Sequence, residues 1–199
     1  MRSRGFRCNI ARPCRCCAPM SIGFKEWALI CDALGRGEQS IILRKGGIAE
    51  GRAGFRFAHE SFFLFPTLFH EQVSKLKLPA TTPLPAARSD GQIEIKYRAR
   101  VEWTHEINDL EAARRLAPFH LWNDEVIAER FRYDEKQGVS LAFVRVSQLL
   151  QPLVFANSPR YGGCRSWVEL PAVDSTGDCV DALDDERDAQ RQKEVRALL

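Results

Sequence analysis

QIEIKYRARVEW, residues Gln92–Trp103, is the stretch on which the fold class turns. Ile93, Ile95, Tyr97, Ala99, Val101 and Trp103 fall on one side of an extended chain. Gln92, Glu94, Lys96, Arg98, Arg100 and Glu102 fall on the other. Sustained period-two alternation predicts a strand with one buried and one wet face, the pattern of an antiparallel sheet rather than a doubly wound parallel one. The wet face is mildly basic. The segment before it, 73–91, carries Pro79, Pro83 and Pro85. Proline fixes φ and removes a backbone donor, so this segment reads as a loop separating two parts of the fold.

Working outward, Leu43–Gln72 reads LRKGGIAEGRAGFRFAHESFFLFPTLFHEQ. Phe55 and Phe57 alternate inward around Arg56, and SFFLFPT is an unbroken apolar run, expected to be a buried strand or strand pair crossing the core. Upstream, FKEWALICDAL (Phe24–Leu34) alternates Trp27, Leu29, Cys31 and Ala33 on one face. The turn residues Gly35-Arg36-Gly37-Glu38 and the run SIILRK follow, so this region reads as a β-hairpin. Downstream, Asn108 and Asn123 precede DLEAARRLA and DEVIAERFRY, two helical stretches with acids in the first turn and arginines further on. VSLAFVRVSQLL after Gly138 and Val168-Glu169-Leu170 are further strands. The expected fold is α+β, a mainly antiparallel (mixed) sheet with two or three helices packed on one face, forming one domain over residues 20–173.

Composition bounds what lies outside that domain. The 199 residues are 45% hydrophobic and 28% charged, within the globular range, and the net charge of +3 is unevenly placed. Residues 1–19 hold five arginines and no acid, whereas 174–199 hold eight acids and four bases. The basic excess therefore belongs to a Cys-rich leader, expected to be disordered or an over-extended start ahead of Met20. The charge-rich C-terminal tail is expected to be disordered or a frayed helix. No apolar run is long enough to span a bilayer, and the leader lacks the apolar segment of a secretory signal. Of seven cysteines, Cys31, Cys164 and Cys179 are far apart without paired spacing, which suits free thiols in a reducing cytoplasm.

Three groups of residues carry candidate chemistry. Gly46-Gly47 after Arg44 and Lys45, with Arg52 and Arg56 nearby, can form an anion-binding glycine turn. The plainer reading is a solvated turn, since neither a P-loop nor a dinucleotide fingerprint is present. His59-Glu60 and His70-Glu71 bracket the aromatic strand, and Gln72 follows. Imidazole and carboxylate at both ends of a strand can bind a divalent metal or move protons, or simply cap a sheet rim. Cys164, after Tyr161-Gly162-Gly163, is a further candidate ligand or nucleophile. Glu94-Ile95-Lys96 is the Glu-x-Lys half of a restriction-nuclease pattern, a spacing that any alternating polar face also produces.

FKEWALICDAL, ILRKGGIAEG, FFLFPTLFHEQ, LWNDEVIAERFRY and YGGCRSWVEL, in this order, resemble the bacterial and plant family named domain of unknown function 1802, over about Phe24 to Leu170. The resemblance implies no assigned activity and no catalytic residues. It implies a context of DNA handling, because members are found with restriction-endonuclease-like domains. Two readings follow. In the first, the protein is a non-enzymatic accessory or recognition module, with nucleic acid or a nuclease as partner and no cofactor. In the second, it is a metal-assisted hydrolase or nuclease using His59, Glu60, His70 and Glu71.

Overall fold

The computed structural model describes residues 21–45, 55–68, 71–133, 136–171 and 178–199. The leader and the candidates Gly46, Gly47, Arg52 and His70 lie outside the described residues. The chain runs β1 (Ile22–Trp27), α1 (Ala28–Gly35), β2 (Ile41–Arg44), β3 (Ser61–Thr67) and β4 (Gln92–Ile107). It continues through α2 (Leu110–Arg115), α3 (Asp124–Phe131), β5 (Val139–Ala156), β6 (Trp167–Glu169), β7 (Cys179–Asp181) and α4 (Asp185–Arg196). One sheet takes the order β2-β5-β4-β3-β1-β6, with β7 also on β5. Among the described strands only the β1–β3 pairing is parallel, so the sheet is mixed and mainly antiparallel, as the alternation of Gln92–Trp103 predicts. No helix among the described residues is long and apolar enough to cross a membrane.

The expected hairpin at 24–45 does not form. β1 ends at Trp27, the next eight residues are helical, and β2 pairs with β5 instead. Every residue of α1 except Asp32 is buried, and for so short an apolar run alternation cannot distinguish a strand from a buried helix. Alanine and leucine favour the helix, and Gln72, itself fully buried, accepts the Leu29 N–H in its first turn. Gly37, at φ +69°, then turns the chain toward β2.

The single apolar face expected for β4 is divided between two cores. The register with β5 shifts between Ile95 and Tyr97 and again between Val101 and Trp103. At the first shift two steps along β4 match five along β5, an irregularity that turns the strand between two clusters. Ile93 and Ile95 consequently pack with Phe63, Phe65, Leu149, Tyr161, Val168 and Leu170, whereas Tyr97, Ala99, Val101 and Trp103 join the larger cluster. β3 feeds both: Phe62 and Leu64 go to the large core and Phe63 and Phe65 to the small one, which explains its unbroken aromatic run. α1, α2, α3 and α4 all contribute to the large core, and the small one contains strand and loop residues, so the helices occupy one side as expected.

Two local expectations shift. Asp109 rather than Asn108 caps α2, accepting the N–H groups of Glu111 and Ala112, while Asn123 caps α3 through Val126 N–H. The C-terminal segment is docked rather than frayed. β7 pairs with β5, Val195 of α4 is fully buried, and Arg196 lies 4.3 Å over the Trp103 ring. Gln192 accepts the Trp103 indole N–H at 3.1 Å. Cation–π and indole contacts let a helix with few apolar positions dock, and a count of apolar residues does not register them.

Candidate functional site: a cleft beside the first strand

The residues singled out in the sequence divide into structural roles. Arg44, at the end of β2, lies 3.7 Å from the Glu26 carboxylate and 5.2 Å over the Phe24 ring. It also donates to Lys25 O and Ser166 Oγ, each at 3.4 Å. Arg44 thus ties the β2 end of the strand order to β1 and β6 at the other end. Glu26 is 1% exposed; its other oxygen accepts the Trp27 N–H. Arg130 completes this seam, donating to Leu43 O and lying over the rings of Trp27 and Trp122. Burial lowers the Arg130 pKa to about 10, and the Glu26 charge opposes that shift.

The other candidates do not gather around this seam as a site. Lys45 donates to Lys136 O, and Arg56, Glu60, Glu71 and Cys164 are exposed. His59 meets the edge of Trp167, with ring centroids 4.9 Å apart. Among the described residues, no three His, Cys, Asp or Glu side chains converge as a metal site. The basic face expected on β4 is also reduced. Arg98 is 8% exposed and donates to Cys179 Sγ, and Arg100 pairs with Glu102 at 2.7 Å.

A different concavity opens where β1, α1, β3 and β4 meet the 85–88 and 157–162 loops, with a volume of about 710 Å³. Leu64, Phe65 and Pro66 supply apolar surface, with Tyr97 and Tyr161 as aromatic walls. Lys25, Asp32, Thr67, Glu94 and Lys96 bring polar groups to the same space. Lys25 Nζ donates to Tyr161 O at 2.8 Å and Gly163 O at 2.7 Å, so β1 holds the 161–163 turn in place. Burial lowers its pKa; the neighbouring Cys164 opposes that, while the charges of Arg165 and Arg44 reinforce it. Thr67 Oγ1 donates to Glu26 O at 3.0 Å, leaving its lone pairs free.

The rim carries exposed cations in ion pairs. Arg88 bonds Asp90 at 2.7 Å and lies 3.5 Å from Glu94, which is also 3.5 Å from Lys96. Exposed pairs of this kind are screened by solvent and add little to stability, so a stronger anion can compete for Arg88 and Lys96. Deeper in, Tyr97 and Asp32 line the same part of the cleft. Burial and the Asp32 charge push the Tyr97 pKa up to about 12, so it remains a neutral donor. Gly35 sets the position of that ring, since a Cβ there would lie 2.1 Å from Tyr97 Cε1.

Most of this cleft went unread in the sequence because its residues come from five separated segments. Glu94-Ile95-Lys96 was its one visible fragment, and the structure places that pair on the rim beside Arg88.

A family model covers residues 23–194. The chain belongs to the family described as domain of unknown function (DUF1802). The match extends beyond the 24–170 span legible in the sequence and takes in β7 and most of α4, in keeping with their docking. No curated protein matches this DUF1802 chain. Among solved structures, a serine-to-alanine mutant of ZmASCH from Zymomonas mobilis is similar at TM-score 0.47 and 9% identity, covering 89% of this chain and 99% of that one. A tyrosine-to-phenylalanine mutant of the same protein gives 0.46 and 9%, covering 87% and 96%. ASCH from Zymomonas mobilis gives 0.45 and 10%, covering 87% and 93%.

Proposed function

We propose that this domain is a non-enzymatic recognition module that takes a segment of single-stranded nucleic acid in the cleft beside β1. The observation carrying this reading is the combination, in one concavity, of the half-buried Tyr97 ring, backed by the buried Phe65 and Tyr161, with the exposed cations Arg88 and Lys96. Its volume of about 710 Å³ falls in the range of small-ligand sites and suits one or two splayed nucleotides rather than a duplex. Base faces stack on aromatic rings without regard to sequence, while phosphates seek the cations outside. The nuclease context implied by the family resemblance calls for the same ligand chemistry.

Fluorescence anisotropy of the full chain with labelled single-stranded RNA and DNA tests the proposal. Affinity should fall steeply with salt. Lys96→Glu should lower it further, whereas binding through the arginine-rich leader alone would be indifferent to that substitution. Absence of binding at low salt, or binding that Lys96→Glu leaves unchanged, overturns the proposal.

A further inference from the structure

The two loop walls of the cleft are built differently. The 157–162 wall is fixed: Lys25 Nζ holds Tyr161 O and Gly163 O, Tyr161 is buried, and the Asn157 N–H bonds Gly91 O at 3.2 Å. The 85–88 wall belongs to a segment tied down at its ends. At one end the Lys77 N–H bonds Leu121 O at 2.7 Å and Leu78 packs on the large core. At the other, the Gly91 N–H closes a turn onto Arg88 O, and Asp90 accepts the Gln92 N–H. Between these anchors, residues 79–87 make one hydrogen bond, Thr82 N–H to Pro79 O, and it lies within the segment itself.

Resting on the nucleic-acid reading above, we infer that residues 79–87 form a flap that closes over an occupied cleft, and that Leu84 is a further ligand-contacting residue. A span held at two points and unbonded between them swings about those points, as active-site lids do. Arg88 sits at one pivot, so the swing keeps it on the rim while carrying Leu84 across the opening. Leu84 is 38% exposed, and Leu68, which lines the cleft, is 49% exposed. Isolated exposed leucines are ordinary, but two beside one opening give a closing segment apolar surface to bury against a base. Pro79, Pro83 and Pro85 fix φ in advance, so less entropy is lost when the flap is ordered on a ligand. The 157–162 wall, fixed by Lys25, is the surface against which the flap closes.

Limited proteolysis of the full chain with elastase, which cuts after small residues, tests the inference. The free protein should be cut after Ala80, Ala86 or Ala87, with the fragments identified by mass. The single-stranded oligonucleotide of the anisotropy measurement, at saturation, should slow cutting after Ala80 at least about tenfold, because cleavage follows the population of the open segment. Ala80 does not line the cleft, so a ligand that merely filled it would shield Ala86 and Ala87 and leave Ala80 open. Lys96→Glu should lose the protection at the same oligonucleotide concentration, which separates it from inhibition of the protease. Leu84→Ser should weaken oligonucleotide binding about fivefold, with melting temperature and salt dependence unchanged. Resistance of the free chain at residues 79–87 overturns the flap and leaves the recognition reading standing. So does binding that leaves cutting after Ala80 unchanged, or a Leu84→Ser variant that binds as the unmodified chain does. If no oligonucleotide binds the unmodified chain, the recognition reading falls and the flap with it.

Discussion

Lys25 and Glu26 are neighbours on β1, and they serve opposite ends of the molecule's electrostatics. Strand alternation sends Lys25 into the cleft and Glu26 beneath the seam, where Arg44 and Arg130 surround it. Both regions contain arginine or lysine, a carboxylate and aromatic rings. At the seam the charges are enclosed and oppose one another; in the cleft they face solvent in ion pairs. The same residue types therefore hold the sheet ends together in one place and remain available to a ligand in the other. Burial, and not residue identity, separates structure from function here.

The seam should break hardest. Glu26→Ala leaves Arg44 and Arg130 without their buried counter-charge, and removing one partner of such a group costs about 3–5 kcal/mol. Urea denaturation should show a loss of that size, with oligonucleotide affinity of the folded fraction unchanged. A loss below about 1 kcal/mol would mean that the seam is as weakly coupled as the rim.

On the same side, His120 is 4% exposed, neither ring nitrogen has a well-formed hydrogen bond, and its ring lies 5.6 Å from Trp122. Burial, then the charges of Lys77 and Arg130, depress its pKa from 6.5 to about 3. The unfolded chain then binds the proton at a higher pH than the folded one. The stabilisation is complete above about pH 6.5 and is lost as pH falls toward about 3, with a slope of at most about 1.4 kcal/mol per pH unit. Thermal melts across that window should show the decline, and His120→Phe should flatten it. An unchanged pH profile in that variant would remove His120 from the account.

On the cleft side, Gly35→Ala forces the Tyr97 ring away from α1, an overpacking that costs about 1–3 kcal/mol. It should weaken nucleotide binding more than it lowers stability, as titration and melting of the same sample would show. Lys96→Glu is the smallest perturbation of the fold, within about 0.5 kcal/mol. Its effect should appear only in affinity and salt dependence. A large loss of stability from it would erase the distinction between rim and seam.

How much of this was legible depended on whether a signal was local. SFFLFPT announced a strand buried on both faces, and Asn123 announced the start of α3, because both depend on residues adjacent in the chain. ALICDALG failed as a strand because its helix is capped by Gln72, more than forty residues away. Arg44, beside the glycine turn, and Gln72, after His70-Glu71, were ligand-binding candidates, and the structure places them in a charge pair and at a helix start. Asp32 was read only as a position on the opposite face of a strand, since a single acid in an apolar run looks like an interruption until its neighbours are buried.

By itself the sequence determined the class of the fold, the long strand Gln92–Trp103, the concentration of arginine in residues 1–19 and of acid in residues 174–199, and the family. These follow from periodicity, composition and short-range capping, which the order of residues carries directly. Only the tertiary structure decided which charges are enclosed and which face solvent. The bulge after Ile95, the docking of α4 on Trp103 and the opening between β1 and β4 arise from pairing across long separations. Solvent exposure, which sets the strength of every charge in the molecule, exists only once those pairings are made.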